Sequence, residues 1–160
     1  MSKFYDDNWM LEHGFLERRT SVPTVAEVLR TKHEEAGEVP QFVTIGTHQK
    51  VGEAIDVMQR YSISQLPVVR DGEVSSLSDV IGSLQDRALL DLVFKNADAL
   101  HEDVAVAMQG PLTTIDADES VDEIVTALTG GVNAVVVADR GKPIGVVTRS
   151  DLLEYLAHAR

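Results

Sequence analysis

Thr148 and Asp151 stand three residues apart in the stretch Pro-Ile-Gly-Val-Val-Thr-Arg-Ser-Asp-Leu-Leu, residues 143–153. An apolar strand ends there and a helix opens. A carboxylate accepts from both hydroxyls of a ribose in a charge-assisted, two-point contact. A threonine hydroxyl just ahead of the helix adds a bond to the sugar or its 5′ substituent, and the free N–H groups of the first turn supply further donors. The same Thr-x-x-Asp spacing also closes a helix start as a near capping box. The motif alone therefore carries two readings, sugar site and helix cap.

The unit that holds this junction occurs twice. Aligned on Gly82 and Gly145, Val80-Ile81-Gly82-Ser83-Leu84 matches the later strand and Leu89-Leu90 matches Leu152-Leu153. The polar pair is not repeated. Gln85 takes the place of Thr148, and Ala88 takes the place of Asp151. An alanine side chain has no acceptor for a sugar hydroxyl, so the second junction is expected to be empty or to hold something else.

The surrounding elements follow from periodicity and turn chemistry. Thr24 caps a helix carrying Val25, Val28 and Leu29, and residues 32–40 read as a charged loop containing Gly37. Phe42-Val43-Thr44-Ile45 is a short strand. Val51, Ala54, Ile55, Met58 and Tyr61 share one helical face. Gln65–Val69 is the next strand, Asp71-Gly72 a turn and 80–84 a third strand. A helix then carries Leu89, Leu90, Val93 and Phe94. The second half retraces this path at an offset of about 70 residues, the signature of an internal repeat. Val104, Ala107 and Met108 echo the first helix. Leu112-Thr113-Thr114-Ile115 and Asn133-Ala134-Val135-Val136-Val137 echo the first two strands. Ahead of the repeat, Asp6-Asp7-Asn8 caps a short helix over Trp9, Met10 and Leu11. The expected organisation is a lead-in at 1–20, one copy at 21–95 and the other at 96–160.

A unit this small buries too little surface to stand alone. The expectation is an α/β fold of two copies packed face to face about a pseudo-twofold axis, each a short mixed sheet with flanking helices.

Composition narrows the function classes. The 160 residues carry a net charge of −12, 44% are hydrophobic and none is cysteine. The charge is opposite to the basic footprint of a nucleic-acid binder and disfavours an anionic membrane surface. Without cysteine there is neither a disulfide framework nor a thiolate metal site. The five histidines show no metal-ligand spacing. No apolar run approaches the ~18 residues of a membrane span, and the first residues lack a signal-peptide pattern. A cytoplasmic chain is expected.

The pattern resembles the CBS domain family. Glu53-Ala54-Ile55, Met58 and Ser64-Gln65-Leu66-Pro67-Val68-Val69 are similar to the first half of a CBS motif, and Gly145-Val146-Val147-Thr148-Arg149-Ser150-Asp151-Leu152-Leu153 to its end. Two in tandem form a Bateman module, and the likeness covers roughly residues 20–160. The lead-in, with Asp7-Asn8-Trp9-Met10-Leu11 and Gly14-Phe15-Leu16, resembles the segment after the catalytic domain of cystathionine β-synthase. That pyridoxal-phosphate (PLP) enzyme joins serine and homocysteine. None of the five lysines sits in a cofactor-lysine setting, so no catalytic residue or resident cofactor is expected in this chain.

The resemblance implies a regulatory module with an adenosyl ligand between the two motifs. Thr148 and Asp151 would face Phe42, Ile63, Gln65 and Leu66. Val146 and Ile63 would sandwich the purine while backbone near Gln65 and Leu66 reads its edge. The other cleft would join Gln85 and Ala88 to Val132, Asn133 and Ala134. S-adenosylmethionine, suggested by the lead-in, brings a sulfonium that suits an acidic chain. AMP or ATP would need cations beside Asp151, for which Arg149, His48 and Arg140 are the candidates. The implied partners are a PLP-dependent catalytic domain and a second copy in a homodimer. The rival class is a ligand-free dimerisation platform in which Thr148 and Asp151 only cap a helix.

Overall fold

A computed structural model of the chain describes residues 23–36, 42–70 and 74–158. The lead-in, with Trp9 and Phe15, and the Asp71-Gly72 turn lie outside the described residues. Helix α1 (Val25–Ala36) comes first, followed by β1 (Ile45–Gly46), α2 (Val51–Tyr61), β2 (Gln65–Val69), β3 (Val80–Gln85) and α3 (Asp86–Lys95). The second copy supplies α4 (Val104–Ala107), β4 (Thr113–Asp116), α5 (Val121–Thr129), β5 (Ala134–Asp139), β6 (Lys142–Thr148) and α6 (Arg149–His158).

The strands form two three-stranded sheets of the same topology. In each, the first strand pairs parallel with the second and the second antiparallel with the third. The mixed α/β architecture expected from the repeat is the one observed. The first strand is shorter than expected, because pairing begins only at Ile45. The β5–β6 hairpin closes through Arg140 (φ 54°) and Gly141 (φ 79°), the two consecutive positive φ values a tight hairpin loop requires. Helix α2 opens with the Lys50 N–H donating to Glu53 Oε1 (2.9 Å), which satisfies one of the orphan donors at a helix start. It buries Val51, Ala54 and Met58 on one stripe.

Each copy lends its leading helix to the other. Val25, Val28 and Leu29 of α1 pack with Val121, Ile124, Val135, Val137 and Val147 of the second copy. Val104 of α4 packs with Ile45, Val51, Leu66 and Leu84 of the first. Burying each such side chain is worth about 1.5–3 kcal/mol. Backbone bonds repeat the exchange symmetrically. The N–H groups of Val25 and Ala26 donate to the carbonyls of Glu119 (2.9 Å) and Ala117 (3.0 Å), and that of Val121 to Pro23 (3.1 Å). In the mirror set Val104 and Ala105 donate to Gln49 (2.7 Å) and Thr47 (3.0 Å), and Val51 donates to Glu102 (2.9 Å). The pseudo-twofold relation therefore rests on an exchange and not only on two faces meeting.

The paired glycines of the repeat make room for the exchange. A Cβ on Gly145 would lie 2.6 Å from Leu29 Cδ1, and one on Gly82 would lie 2.6 Å from Met108 Sδ and 2.8 Å from the Gln109 carbonyl. Gly82→Ala is expected to cost about 1–3 kcal/mol, as overpacking of a tight site does. Gly145→Ala should cost less, because the end of a leucine can rotate and a backbone carbonyl cannot. Urea unfolding of the two variants checks the order, and a reversed order would refute this account of the glycines.

On the first copy's side the exchange is tied by an ion pair, Lys50 Nζ to Asp103 Oδ1 at 2.6 Å. The hydrogen bond from Lys50, helped by its charge and that of His48, holds the Asp103 carboxyl below its ordinary value of 3.8 despite some desolvation. A lowered folded-state value means the pair stabilises the fold above that ordinary value and loses its contribution as pH falls through the folded one. The stability difference between wild type and Asp103→Asn, followed by urea midpoint, should accordingly shrink with acidification.

Candidate functional site

Strand β6 runs directly into α6, so the strand's last residue is also the helix cap. The Thr148 hydroxyl accepts from the Asp151 N–H (3.2 Å) and donates to Asp151 Oδ2 (3.0 Å), and the Thr148 N–H donates to the same oxygen (2.9 Å). This is a reciprocal capping box, worth about 0.5–2 kcal/mol. The cap drawn from the spacing is thus formed. Among the described residues, every polar contact of this carboxylate falls on Oδ2, so Oδ1 keeps its capacity to accept.

A third donor reaches Oδ2, and the sequence reading missed it. Residues 32–40 were expected to form a loop, yet α1 continues to Ala36. Lys32 therefore sits on the helix, one turn beyond the buried Val28. Its Nζ lies 2.8 Å from Asp151 Oδ2 and donates to the Val146 carbonyl at 2.5 Å. The side chains of Lys32 and Asp151 are 29% and 21% exposed. The signal available in the sequence was the spacing from Val25 through Val28 and Leu29 to Lys32, which continues one helical face. The Tyr155 hydroxyl also joins α6 to α1, donating to Glu27 Oε2 (3.2 Å). Burial and then the Glu27 carboxylate push the Tyr155 pKa up.

Of the cations proposed from sequence, Arg149 lines the same cleft as Thr148. Arg149 donates to the carbonyls of Val132 (2.9 Å) and Leu128 (3.5 Å) and to Asn133 Oδ1 (3.1 Å), closing the end of α5. His48 stands 3.8 Å from Asp103, and Arg140 occupies the exposed β5–β6 turn.

A cleft of about 410 Å³ opens where the two junctions approach each other, walled by Gln65, Gln85, Arg87, Asn133, Thr148 and their neighbours. Gln65 and Thr148 both line it, whereas Asp151, expected on the same side, does not. Gln65 Oε1 is buried without a hydrogen-bond partner among the described residues. Asp151 lies on the far side of the same helix start, in a pocket of about 280 Å³ shared with Lys32, Thr31, Glu154 and Tyr155. Val146 is half-buried in β6 opposite Val136. Ile63 is half-buried against the first core, and Leu66 lies wholly within it, so only the backbone of Leu66 is left for recognition. Phe42 is half-buried ahead of β1.

The degenerate junction is closed differently. Ser83, the counterpart of Val146, exchanges both backbone bonds with Gln109 (3.0 and 2.8 Å), and its hydroxyl donates to the Gly110 carbonyl (2.7 Å). Main chain thus occupies the β3 edge at the point where a lysine ammonium occupies the β6 edge. No group of three or more metal-ligating side chains occurs among the described residues, and no helix there is long and apolar enough to cross a membrane.

Known proteins share this architecture. The chain is 29% identical over 142 residues to an inosine-5′-monophosphate dehydrogenase of Methanocaldococcus jannaschii. The match takes in 88% of the chain but only 27% of that enzyme's length. A structure of a putative signal-transduction protein with CBS domains from Burkholderia ambifaria matches with a TM-score of 0.70 at 24% identity, over 86% of this chain and 96% of that one. The CBS domain of a bacterial CNNM/CorC family Mg2+ transporter in complex with ATP matches with a TM-score of 0.66 at 19% identity, over 95% and 98% of the two chains. The CBS domain family model matches residues 36–94 and again 102–158. With both copies matched and both sheets formed, the chain belongs to the CBS domain family as a tandem pair.

Proposed function

We propose that this CBS pair is a non-catalytic regulatory module that takes an adenosyl ligand at the Thr148/Asp151 junction and passes its occupancy to a catalytic domain. The observation that carries the reading is the Asp151 carboxylate. Its cap fixes its orientation through Oδ2, and among the described residues Oδ1 is left to accept ribose hydroxyls. The Thr148 hydroxyl adds a bond at the sugar. Val146 and Ile63 offer apolar walls to the purine, with Phe42 nearby in sequence to the first strand, and the Leu66 backbone offers polar groups to its edge. Gln65 Oε1, buried without a donor, suits an exocyclic amino group. The ATP held by the transporter's CBS domain supports an adenosyl ligand here.

A ligand regulates only through different affinities for two arrangements. Here α1 supplies the second arrangement, because it packs on the second copy while its chain leads into the first. The match to a quarter of a longer dehydrogenase supports a module that serves an enzyme. The lead-in resemblance supports cystathionine β-synthase as that enzyme and S-adenosylmethionine as the effector, while the transporter's ATP supports AMP or ATP. Leu90 and Phe94 on α3 are 73% and 86% exposed, and Leu153, at the repeat position of Leu90, is 68% exposed. These apolar groups support a homodimer built through α3 and α6.

Thermal unfolding with S-adenosylmethionine, AMP, ATP and buffer tests the reading. A ligand at about 100 times its dissociation constant stabilises by about 2.7 kcal/mol, a midpoint rise of roughly 5–10 °C for a chain of this size. Asp151→Asn, which keeps a capping acceptor, should abolish the rise while the far-ultraviolet spectrum stays native. A rise that survives in Asp151→Asn sinks the site, and no rise with any ligand leaves the dimerisation platform as the account.

Replacing Leu90 and Phe94 together with serine should turn the dimer into a monomer in sedimentation velocity. An unchanged dimer would place the interface elsewhere.

A further inference from the structure

We infer that residues 74–79 are a clasp that fixes the two copies to each other at their hairpin pole, so that the copies pivot there and the cleft end is the end that opens. The clasp is independent of whatever the cleft binds. Both sheets run between the same two poles. Gln65 pairs with Gln85 and Ala134 with Thr148 at the cleft, while Val69 pairs with Val80 and Asp139 with Lys142 at the opposite end. The hairpins that close this second pole are unequal. Arg140 and Gly141 alone join β5 to β6, whereas residues 70–79 join β2 to β3. The longer connection reaches across to the other copy, where the Leu77 N–H donates to the Gly141 carbonyl at 2.8 Å.

The donor is presented by an ordered turn. Leu77–Asp79 form one turn of 3-10 helix. Asp79 Oδ2 accepts from the Ser75 N–H (2.9 Å), the Ser75 hydroxyl (3.2 Å) and the Ser76 N–H (3.1 Å), and the Arg70 N–H donates to the Asp79 carbonyl (3.0 Å). The first N–H of such a turn has no partner inside it, so the caged Asp79 leaves that of Leu77 for the neighbouring hairpin. The acceptor sits on Gly141, whose φ of 79° is easy only for glycine. The backbone ties of the helix exchange lie toward the same pole. Ala117, which accepts from Ala26, itself donates to Ala138 beside the hairpin turn, and Thr47, which accepts from Ala105, donates to Val69. Ser83 and Gln109 pair midway along β3. Beside the β6–α6 junction the tie is a side-chain pair, Lys32 with Asp151, on a long rotating stem. Packed bodies tied firmly at one end and loosely at the other close and open about the firm end, as hinged domains do.

Paired spin labels test the clasp, since the chain has no cysteine to compete for them. Labels on Arg70→Cys with Lys142→Cys report the hairpin pole, and labels on Arg87→Cys with Ser150→Cys report the cleft end; all four positions are exposed. Labelled chain is diluted into unlabelled chain, and double electron–electron resonance gives the two distance distributions. The hairpin-pole distribution should be the narrower. Leu77→Pro should widen it to the width at the cleft end. Proline fits the first position of the turn, and the extended Ser76 ahead of it (φ −149°, ψ 168°) suits a residue before proline, so the change removes the donor and keeps the turn. Leu77→Ala keeps the N–H and should leave the distribution narrow. Asp79→Ala opens the cage and should widen it as Leu77→Pro does; it is the decisive variant if circular dichroism shows the proline chain unfolded. A hairpin pole as broad as the cleft end before any change at Leu77 or Asp79 overturns the clasp. So does equal widening by Leu77→Ala and Leu77→Pro, or a width that neither Leu77→Pro nor Asp79→Ala alters.

Discussion

The exchange of leading helices is the constraint on which the rest depends. Neither three-stranded sheet has a complete cover of its own. Sheet β4–β5–β6 is closed by α1, whose Val25, Val28 and Leu29 lie in its core, and sheet β1–β2–β3 receives Val104 from α4. Both exchanges need a strand glycine, because α1 and the segment after α4 approach Gly145 and Gly82 more closely than a side chain allows. The fold is therefore one cooperative body, in which unseating either helix opens the core of the opposite copy.

The same exchange builds the junction. Asp151 belongs to the second copy by sequence, and its capping partner Thr148 is local. Its cation comes from the leading helix of the first copy, 119 positions away along the chain as numbered. A change at the Asp151 carboxylate is thus a change in the hold on α1. Under the proposed function, this contact is the route by which occupancy of the site would reach α1, since packed elements with alternative contacts move between discrete arrangements.

Repetition did not bring equivalence. The β6 edge at Val146 is closed by one flexible ammonium, whereas the β3 edge at Ser83 is closed by two backbone bonds and a hydroxyl contact. Exchanging a side chain for a ligand costs little structure. Exchanging paired main chain disrupts a ladder. The loss of polar chemistry at Gln85 and Ala88 and the closure of that edge are two aspects of one divergence between the copies.

The sequence by itself determined the doubled unit, the two mixed sheets and the capping pair, because these follow from local periodicity and from spacings of three or four residues. The strand at Gln65–Val69, the hairpin at Asp139-Arg140-Gly141 and the Thr148–Asp151 cap could be read directly for that reason. Tertiary structure decided which copy each leading helix covers, since an apolar stripe such as Val25-Val28-Leu29 states that it must be buried and not against what. It also decided how far α1 runs. Lys32, His33, Glu34 and Glu35 are polar and look like loop, and packing of the preceding turn on β6 carries the helix through them. Lys32 reaches Asp151 only because of that added turn. No local pattern joins two residues so distant in the chain, which is why the cation at the junction emerged from the fold and not from the motif.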